Sequence, residues 1–327
     1  MSNVSQPNVS QPYVSLHEYQ SWLFDFLPEF VIEAVKHTFD HLLDEFDSNF
    51  LVTLIVLAHV FVFYCASGIV GYLLFLLRDK DEERIGQLFN RFFRRAPISQ
   101  IERVLIVTAH PDDECMFFGP TIVELQKRYI VYLLCLTDGD YYGLGSIRKA
   151  ELWESCRVLG MPDSHITLMK VSRMPDSPYT KWDPERTAEI IMEQVQRLDV
   201  NRVYTFDHHG VSGHPNHKSI YMAFAHLCLK NEIPPSLKVY LLESVNFIRK
   251  YTLFCDAGIS KVFNKYTYMA TIEEVRMIRE AMTMHESQMY WFRWLYIYTT
   301  RYVYMNTYKE LDKEDVILVA QINGDIA

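Results

Sequence analysis

The chain reads as an α/β protein with a Rossmann-like, mainly parallel, doubly wound sheet, preceded by an N-terminal transmembrane helix. Three observations predict this. From Arg103 onward, apolar β-branched runs alternate with stretches of helical spacing. An uncharged apolar run fills residues 51–77. The six cysteines are scattered without a C-x-x-C pair, as expected of a reducing compartment.

Residues 1–21 are rich in Ser, Gln, Asn and Pro and predict a disordered tail. They lack the basic stretch and short apolar run of a cleavable signal peptide, so an internal anchor is expected to do any targeting. Residues 22–46 place Leu23, Phe26, Phe30, Val35, Phe39, Leu42 and Phe46 near helical spacing, which predicts an amphipathic helix lying at the membrane surface. The run 51–77 exceeds the roughly 20 residues that cross a bilayer, whereas core helices of soluble domains seldom run so long without a charge. Arg78, Lys80, Arg84, Arg91, Arg94 and Arg95 follow the run, and only Lys36 precedes it. The positive-inside rule then puts the tail in the lumen, where Asn3 and Asn8 head N-x-S triplets, and puts the C-terminal unit in the cytosol. Residues 78–100 form a charged linker to a domain at 101–327.

Within that domain Val104–Ala109, Ile130–Thr137, His165–Val171, Arg202–Phe206 and Lys238–Leu242 read as buried strands. Asp113–Lys127, Ile147–Leu159, Pro184–Leu198 and His217–Lys230 read as the helices between them. A net charge of -9 with no basic stripe excludes nucleic acid as a partner. No Gly-x-Ser-x-Gly elbow or P-loop occurs, and GDYYGLG at 139–145 lacks the dinucleotide spacing.

Ligands of such sheets bind beyond the carboxyl ends of the strands, and two motifs lie there. Ala109-His110-Pro111-Asp112-Asp113-Glu114 follows the first strand; Pro111 forces a turn that displays an imidazole and two carboxylates together. The acids would also suit a helix N-terminus with no further role. His209-Gly210-Val211-Ser212-Gly213-His214-Pro215-Asn216-His217 follows the fourth strand, and Pro215 at a helix start would turn His214 and His217 the same way. Together they offer two histidines and an acid for zinc, with a fourth position for water, plus a spare carboxylate and a spare imidazole. That combination points to a hydrolase.

These motifs, with Arg148 and Glu151 in RKAELWES and the segment MHESQMYWFRWLYIYTTRY, resemble the zinc-dependent LmbE-like de-N-acetylases over residues 104–304. The eukaryotic membrane branch of that family acts on N-acetylglucosaminyl-phosphatidylinositol in the second step of GPI anchor biosynthesis, on the cytosolic face of the endoplasmic reticulum. The resemblance implies Zn2+ held by His110, Asp113 and His217, Asp112 as general base, and a protonated His214 stabilising the oxyanion. It further implies substrate contacts from Arg148, Glu151, Asp138, Asp140, His285 and Gln288. Read from the residues alone, Arg148 and Glu151 equally make a surface pair, Asp138 and Asp140 a turn, and His285 and Gln288 a loop. A second amino-sugar substrate or a catalytically silent sugar-lipid binder are the competing functions. Residues 290–304 gather Trp, Tyr and Phe beside Arg293 and Arg301, which suits either a bilayer headgroup zone or an aromatic core helix.

Overall fold

The computed structural model describes residues 33, 53–63, 65–66, 68–69, 102–251, 260 and 264–323. The chain falls into two compact units, Met1–Phe63 and Tyr64–Ala327. In the first, residues 53–63 are helical, with Leu54, Val56, Leu57, Val60, Phe61, Val62 and Phe63 all exposed. Among the described residues no helix is long and apolar enough to cross a membrane, and the expected span is described only at 53–63, 65–66 and 68–69. The expected tail at 1–21 and linker at 78–100, and all but Glu33 of the expected helix at 22–46, lie outside the described residues.

The second unit runs β1 Arg103–Thr108, α1 Asp113–Met116, α2 Gly119–Leu125, β2 Ile130–Cys135, α3 Gly145–Val158, β3 Ile166–Leu168, α4 Pro184–Leu198, β4 Arg202–Phe206, α5 Pro215–Leu229 and β5 Lys238–Leu242. It continues through α6 Phe247–Tyr251, β6 Tyr266–Met269, α7 Ile272–Thr283, α8 Trp291–Thr299, β7 Met305–Glu310 and α9 Lys313–Asn323. The sheet order is β3-β2-β1-β4-β5-β7-β6. Strands β1 to β5 pair in parallel, and β7 runs antiparallel to both β5 and β6. β1 is the strand buried most completely, with helices on both faces: α1 to α3 pack with α7, and α4 and α9 both pack against α5.

Local chemistry sets the element ends. Asp183 caps α4 by accepting the Arg186 N–H at 2.8 Å, with Pro184 at the first helical position. Thr271 and Glu274 form a reciprocal capping box on α7. The single helix expected over Asp113–Lys127 is broken at Phe117–Phe118, because Pro120 has no N–H to continue the ladder and starts α2 instead. The β6–β7 pair, which the apolar-run pattern does not reveal, is locked to the front of the molecule by Asn306. Its Oδ1 accepts the Thr121 hydroxyl at 2.7 Å and its Nδ2 donates to Phe117 O at 2.8 Å. That clamp holds the segment from His285 to Tyr304 beside α1.

Order β2-β1-β4 makes the exits of β1 and β4 neighbours at the place where the chain reverses its direction of winding. Loops there diverge to opposite faces and leave a crevice. Both histidine-bearing motifs open into it.

Candidate active site

The β1 exit is fixed by its own acids. Asp113 Oδ2 accepts the backbone N–H groups of Ala109 and His110, each at 2.9 Å. Asp112 sits at φ 111°, in the left-handed region, and Glu114 Oε2 accepts its N–H at 3.0 Å. At the β4 exit, Asp207 accepts from His209 N at 3.1 Å, Gly210 N at 3.0 Å and the Ser244 hydroxyl at 2.6 Å, tying this loop to the residue after β5. Pro215 opens α5 as expected, with His214 capping it through Nδ1, which accepts the Asn216 N–H at 3.2 Å. His217, in the first turn, stacks parallel on Phe206 at 4.0 Å between centroids.

Hydrogen bonds assign the ring tautomers. His110 Nε2 faces two acceptors, Asn216 Oδ1 at 3.0 Å and Asp176 Oδ1 at 3.1 Å. Asn216 is held in that orientation because its Oδ1 also accepts the Ser177 N–H and its Nδ2 donates to Thr180 O at 2.9 Å. So Nε2 carries the proton and Nδ1 presents a lone pair. His217 Nδ1 lies 3.0 Å from Gly210 O, a pure acceptor, which leaves the lone pair on Nε2.

The two lone pairs stand 3.4 Å apart; Asp113 Oδ1 is 3.2 Å from His217 Nε2, and its Oδ2 3.7 Å from His110 Nδ1. A tetrahedral ion about 2.0–2.1 Å from each nitrogen and oxygen separates its ligands by roughly 3.3–3.4 Å. The donor set therefore fits a divalent metal. Three acceptors at this spacing repel unless a cation lies between them. Burial pushes the His110 pKa down, but the hydrogen bond to Asp176 and the charges of Asp113 and Asp176 outweigh it and raise it. Burial likewise pushes Asp113 up, and the charges and hydrogen bonds of His217 and His110 overcome it, holding the carboxyl far below its usual range.

His214 also stands in this group, its ring 4.6 Å from that of His110. Burial, followed by the neighbouring His110 and His217, pushes its pKa down to about 4. Its Nδ1 accepts the Asn216 N–H, so in the neutral ring the single N–H donor is Nε2.

Two guanidinium groups surround Asp112. Arg148, buried in the first turns of α3, donates to Pro111 O at 2.5 Å and Gly139 O at 3.3 Å and lies 3.6 Å from both Asp112 and Asp176. It is no surface partner of Glu151, whose carboxylate instead accepts the Ser287 N–H at 2.7 Å and hydroxyl at 2.6 Å. At Gly139, φ 71°, a Cβ would meet the Arg148 guanidinium at 2.6 Å, so a larger residue there is strained and displaces Arg148. Arg293 of α8 reaches Asp112 Oδ2 at 3.3 Å.

Other expected substrate contacts lie elsewhere. His285 is fully buried, with Nε2 2.7 Å from Glu114 Oε1, so it cannot touch a substrate; it buttresses the Asp112 turn through Glu114, which also accepts the Ser155 hydroxyl at 2.6 Å. Asp138 and Asp140 both pair with Lys170, at 2.7 and 3.1 Å, and Asp140 accepts the Gly145 N–H, which is the turn role. Gln288 donates to the Ser287 hydroxyl at 3.0 Å. Of the two arginines in the expected headgroup segment, Arg301 is fully buried and donates to Thr307, whereas Arg293 is partly exposed and reaches Asp112 Oδ2. Sequence reasoning missed Asp176, Asn216 and Arg293. The signal for Asp176 was an acid between Pro175 and Pro178 in the loop after β3.

Residues 105–228 match the family model described as PIG-L: GlcNAc-PI de-N-acetylase. The N-acetylglucosaminyl-phosphatidylinositol de-N-acetylase of Bos taurus is 41% identical over 207 residues, 63% of this chain and 82% of that one. The chain belongs to the GlcNAc-PI de-N-acetylase family. A probable enzyme of the same name from Schizosaccharomyces pombe is 36% identical over 64% of this chain and 87% of its own. Among solved structures, N,N'-diacetylchitobiose deacetylase from Pyrococcus horikoshii is similar at 17% identity and a TM-score of 0.47, covering 70% of this chain and 92% of that one. In this family member the matched span contains both histidine motifs, Arg148 and Asp176; His285 and Arg293, which support Asp112 from the far side, lie beyond it.

Proposed function

We propose that the chain hydrolyses the N-acetyl group of N-acetylglucosaminyl-phosphatidylinositol, releasing acetate and glucosaminyl-phosphatidylinositol, the second step of GPI anchor biosynthesis. The observation that carries this is the convergence of His110 Nδ1, Asp113 and His217 Nε2 beside a carboxylate that is outside the triad. Those three residues would hold a divalent ion, most simply Zn2+, which when bound polarises the amide carbonyl and makes water acidic near neutral pH.

The remaining chemistry belongs to the chain. Asp112, kept in place by Arg148 and Arg293, takes a proton from the attacking water and returns one to the departing amine. The water oxygen bonds to the carbonyl carbon first, placing negative charge on the carbonyl oxygen, and the acetamide C–N bond then breaks as that charge returns and the nitrogen leaves protonated. His214, in its neutral form, donates its Nε2–H to the carbonyl oxygen as charge gathers there. Exposed Tyr141 and Tyr142 and half-buried Gln288 lie along the segments flanking Arg148 and Glu151 and would contact the sugar.

The same reading places the chain in the endoplasmic reticulum membrane as a single-pass protein anchored by residues 51–77, with the catalytic unit cytosolic. The exposed apolar side chains around helix 53–63 support it, since a helix that is apolar all round suits lipid rather than water. The test is acetate release from the glycolipid by the full chain in detergent, alongside its metal content. Asp112→Asn should keep the metal and lose turnover by about 10^2-fold or more. A parent protein that binds zinc but releases no acetate would instead make it a sugar-lipid binder.

A further inference from the structure

We propose that α8, with α6 beside it, is the face on which the catalytic unit seats against an anionic phospholipid surface; this rests on the lipid-linked substrate argued above. The nine residues of α8 carry two apolar stripes. Arg293, Tyr296 and Ile297 turn inward, with the Tyr296 hydroxyl donating to Met116 O at 3.1 Å and Arg293 on Asp112. Trp291, Trp294, Leu295 and Tyr298, at i, i+3, i+4 and i+7, form the opposite stripe and are exposed, Trp291 to 79%. A helix in contact with water on that side would carry charged residues there. This one carries none.

Three features single out a lipid surface as the occupant. Trp and Tyr with an adjoining Leu are the side chains that favour the headgroup boundary, where an apolar ring and a polar N–H or O–H are both satisfied. Charge is complementary: α6 and α8 together hold Arg249, Lys250 and Arg293, each partly exposed, and no acid; Lys250 lies 5.6 Å from the buried Tyr296 ring, which puts α6 against α8, and α6 adds the exposed Phe247 and Ile248. Position is the third feature. The substrate's acyl chains hold it in the bilayer at about 0.8 kcal/mol per buried CH2, so its acetamide is reached only where the crevice meets the headgroups. α8 touches the proton-carrying carboxylate on one side and solvent on the other.

The experiment uses the full chain in proteoliposomes containing phosphatidylinositol, comparing the parent with W291F/W294F. The emission lost in the double variant is that of the two tryptophans, and Trp22, Trp153 and Trp182 cancel. The expected result is that this difference emission is quenched by lipids brominated near the headgroup and protected from aqueous iodide. Quenching by iodide alone overturns the proposal, and so does protection from both quenchers, which would mean that protein covers the stripe. In parallel, W291S/L295S should raise KM for the glycolipid in vesicles about tenfold while leaving turnover of the acyl-free headgroup unchanged. An equal fall on both substrates would mean that the stripe is structural. Because bromolipid quenching does not depend on turnover, an inactive protein with lipid-quenched tryptophans would sink the substrate reading and not this one.

Discussion

Asp112 occupies a backbone region that costs a residue with a Cβ about 1–3 kcal/mol, and the surroundings hold it there. Arg148 grips the preceding carbonyl, and Glu114 grips its N–H. Glu114 in turn is charged in the interior only because His285 is beside it: burial pushes Glu114 up and His285 down, and their mutual attraction reverses both, lowering the carboxyl and raising the imidazole. Replacing His285 with Ala should destabilise the catalytic unit by about 3–5 kcal/mol, since it strands a buried carboxylate. The sign of the pH dependence follows from the imidazole. Its raised value means that its contribution is fully present below the ordinary imidazole pKa and is lost as pH rises through the folded one. Chemical denaturation of parent and His285→Gln should therefore diverge most near pH 6 and converge at alkaline pH; a gap that widened with pH would refute the ion pair. Asp176 acts on the metal triad from behind, by fixing the His110 tautomer with Asn216. Asp176→Asn should weaken zinc affinity by about 10–100-fold, measured by competition with a chelating dye, with the fold unchanged by circular dichroism.

At the scale of elements, the site depends on turns that glycine permits. Gly139→Ala would force a Cβ against the Arg148 guanidinium at a positive φ, so kcat should fall together with a loss of stability of about 1–3 kcal/mol, and Arg148→Lys on that background should recover part of the stability by shortening the clashing group. The central parallel strands β1, β4 and β5 were legible as apolar runs because strands buried on both faces have no polar alternation to confuse the pattern, whereas the edge strand β3 is only Ile166–Leu168 of the expected His165–Val171. Pro111 and Pro215 likewise announced both motif turns, since each proline fixes where a ladder ends or a helix begins. The later half of the fold was not legible. β7 places Asn306 and Thr307 in the interior, where their hydrogen bonds to Phe117, Thr121 and Arg301 make polar residues stable, and no pattern in a single sequence records those partners. His285 was recognisable only by motif, and that misplaced it as a substrate contact. Burial depends on α7 and the β6–β7 pair closing over α1, a long-range arrangement.

For the molecule as a whole, the consequence of this topology is that His110 and Asp113 after β1 and His217 in α5, about a hundred residues apart, come together in one cluster. An ion held by all three binds the folded catalytic unit and not the unfolded chain, so it stabilises by mass action, about 2.7 kcal/mol at a hundredfold excess over Kd. For a unit of this size that corresponds to roughly 5–10 °C in Tm. Calorimetry of the full chain in detergent should show Tm falling by that amount on chelation and returning with zinc. The variants divide the contributions. Asp112→Asn should retain the shift, because its carboxylate is outside the triad, whereas His217→Ala, which removes the proposed ligand from the β4 side, should abolish it. A His217→Ala protein that still responded to zinc like the parent would mean that the β1 turn binds metal alone, and the two motifs would then have no shared ion to unite them.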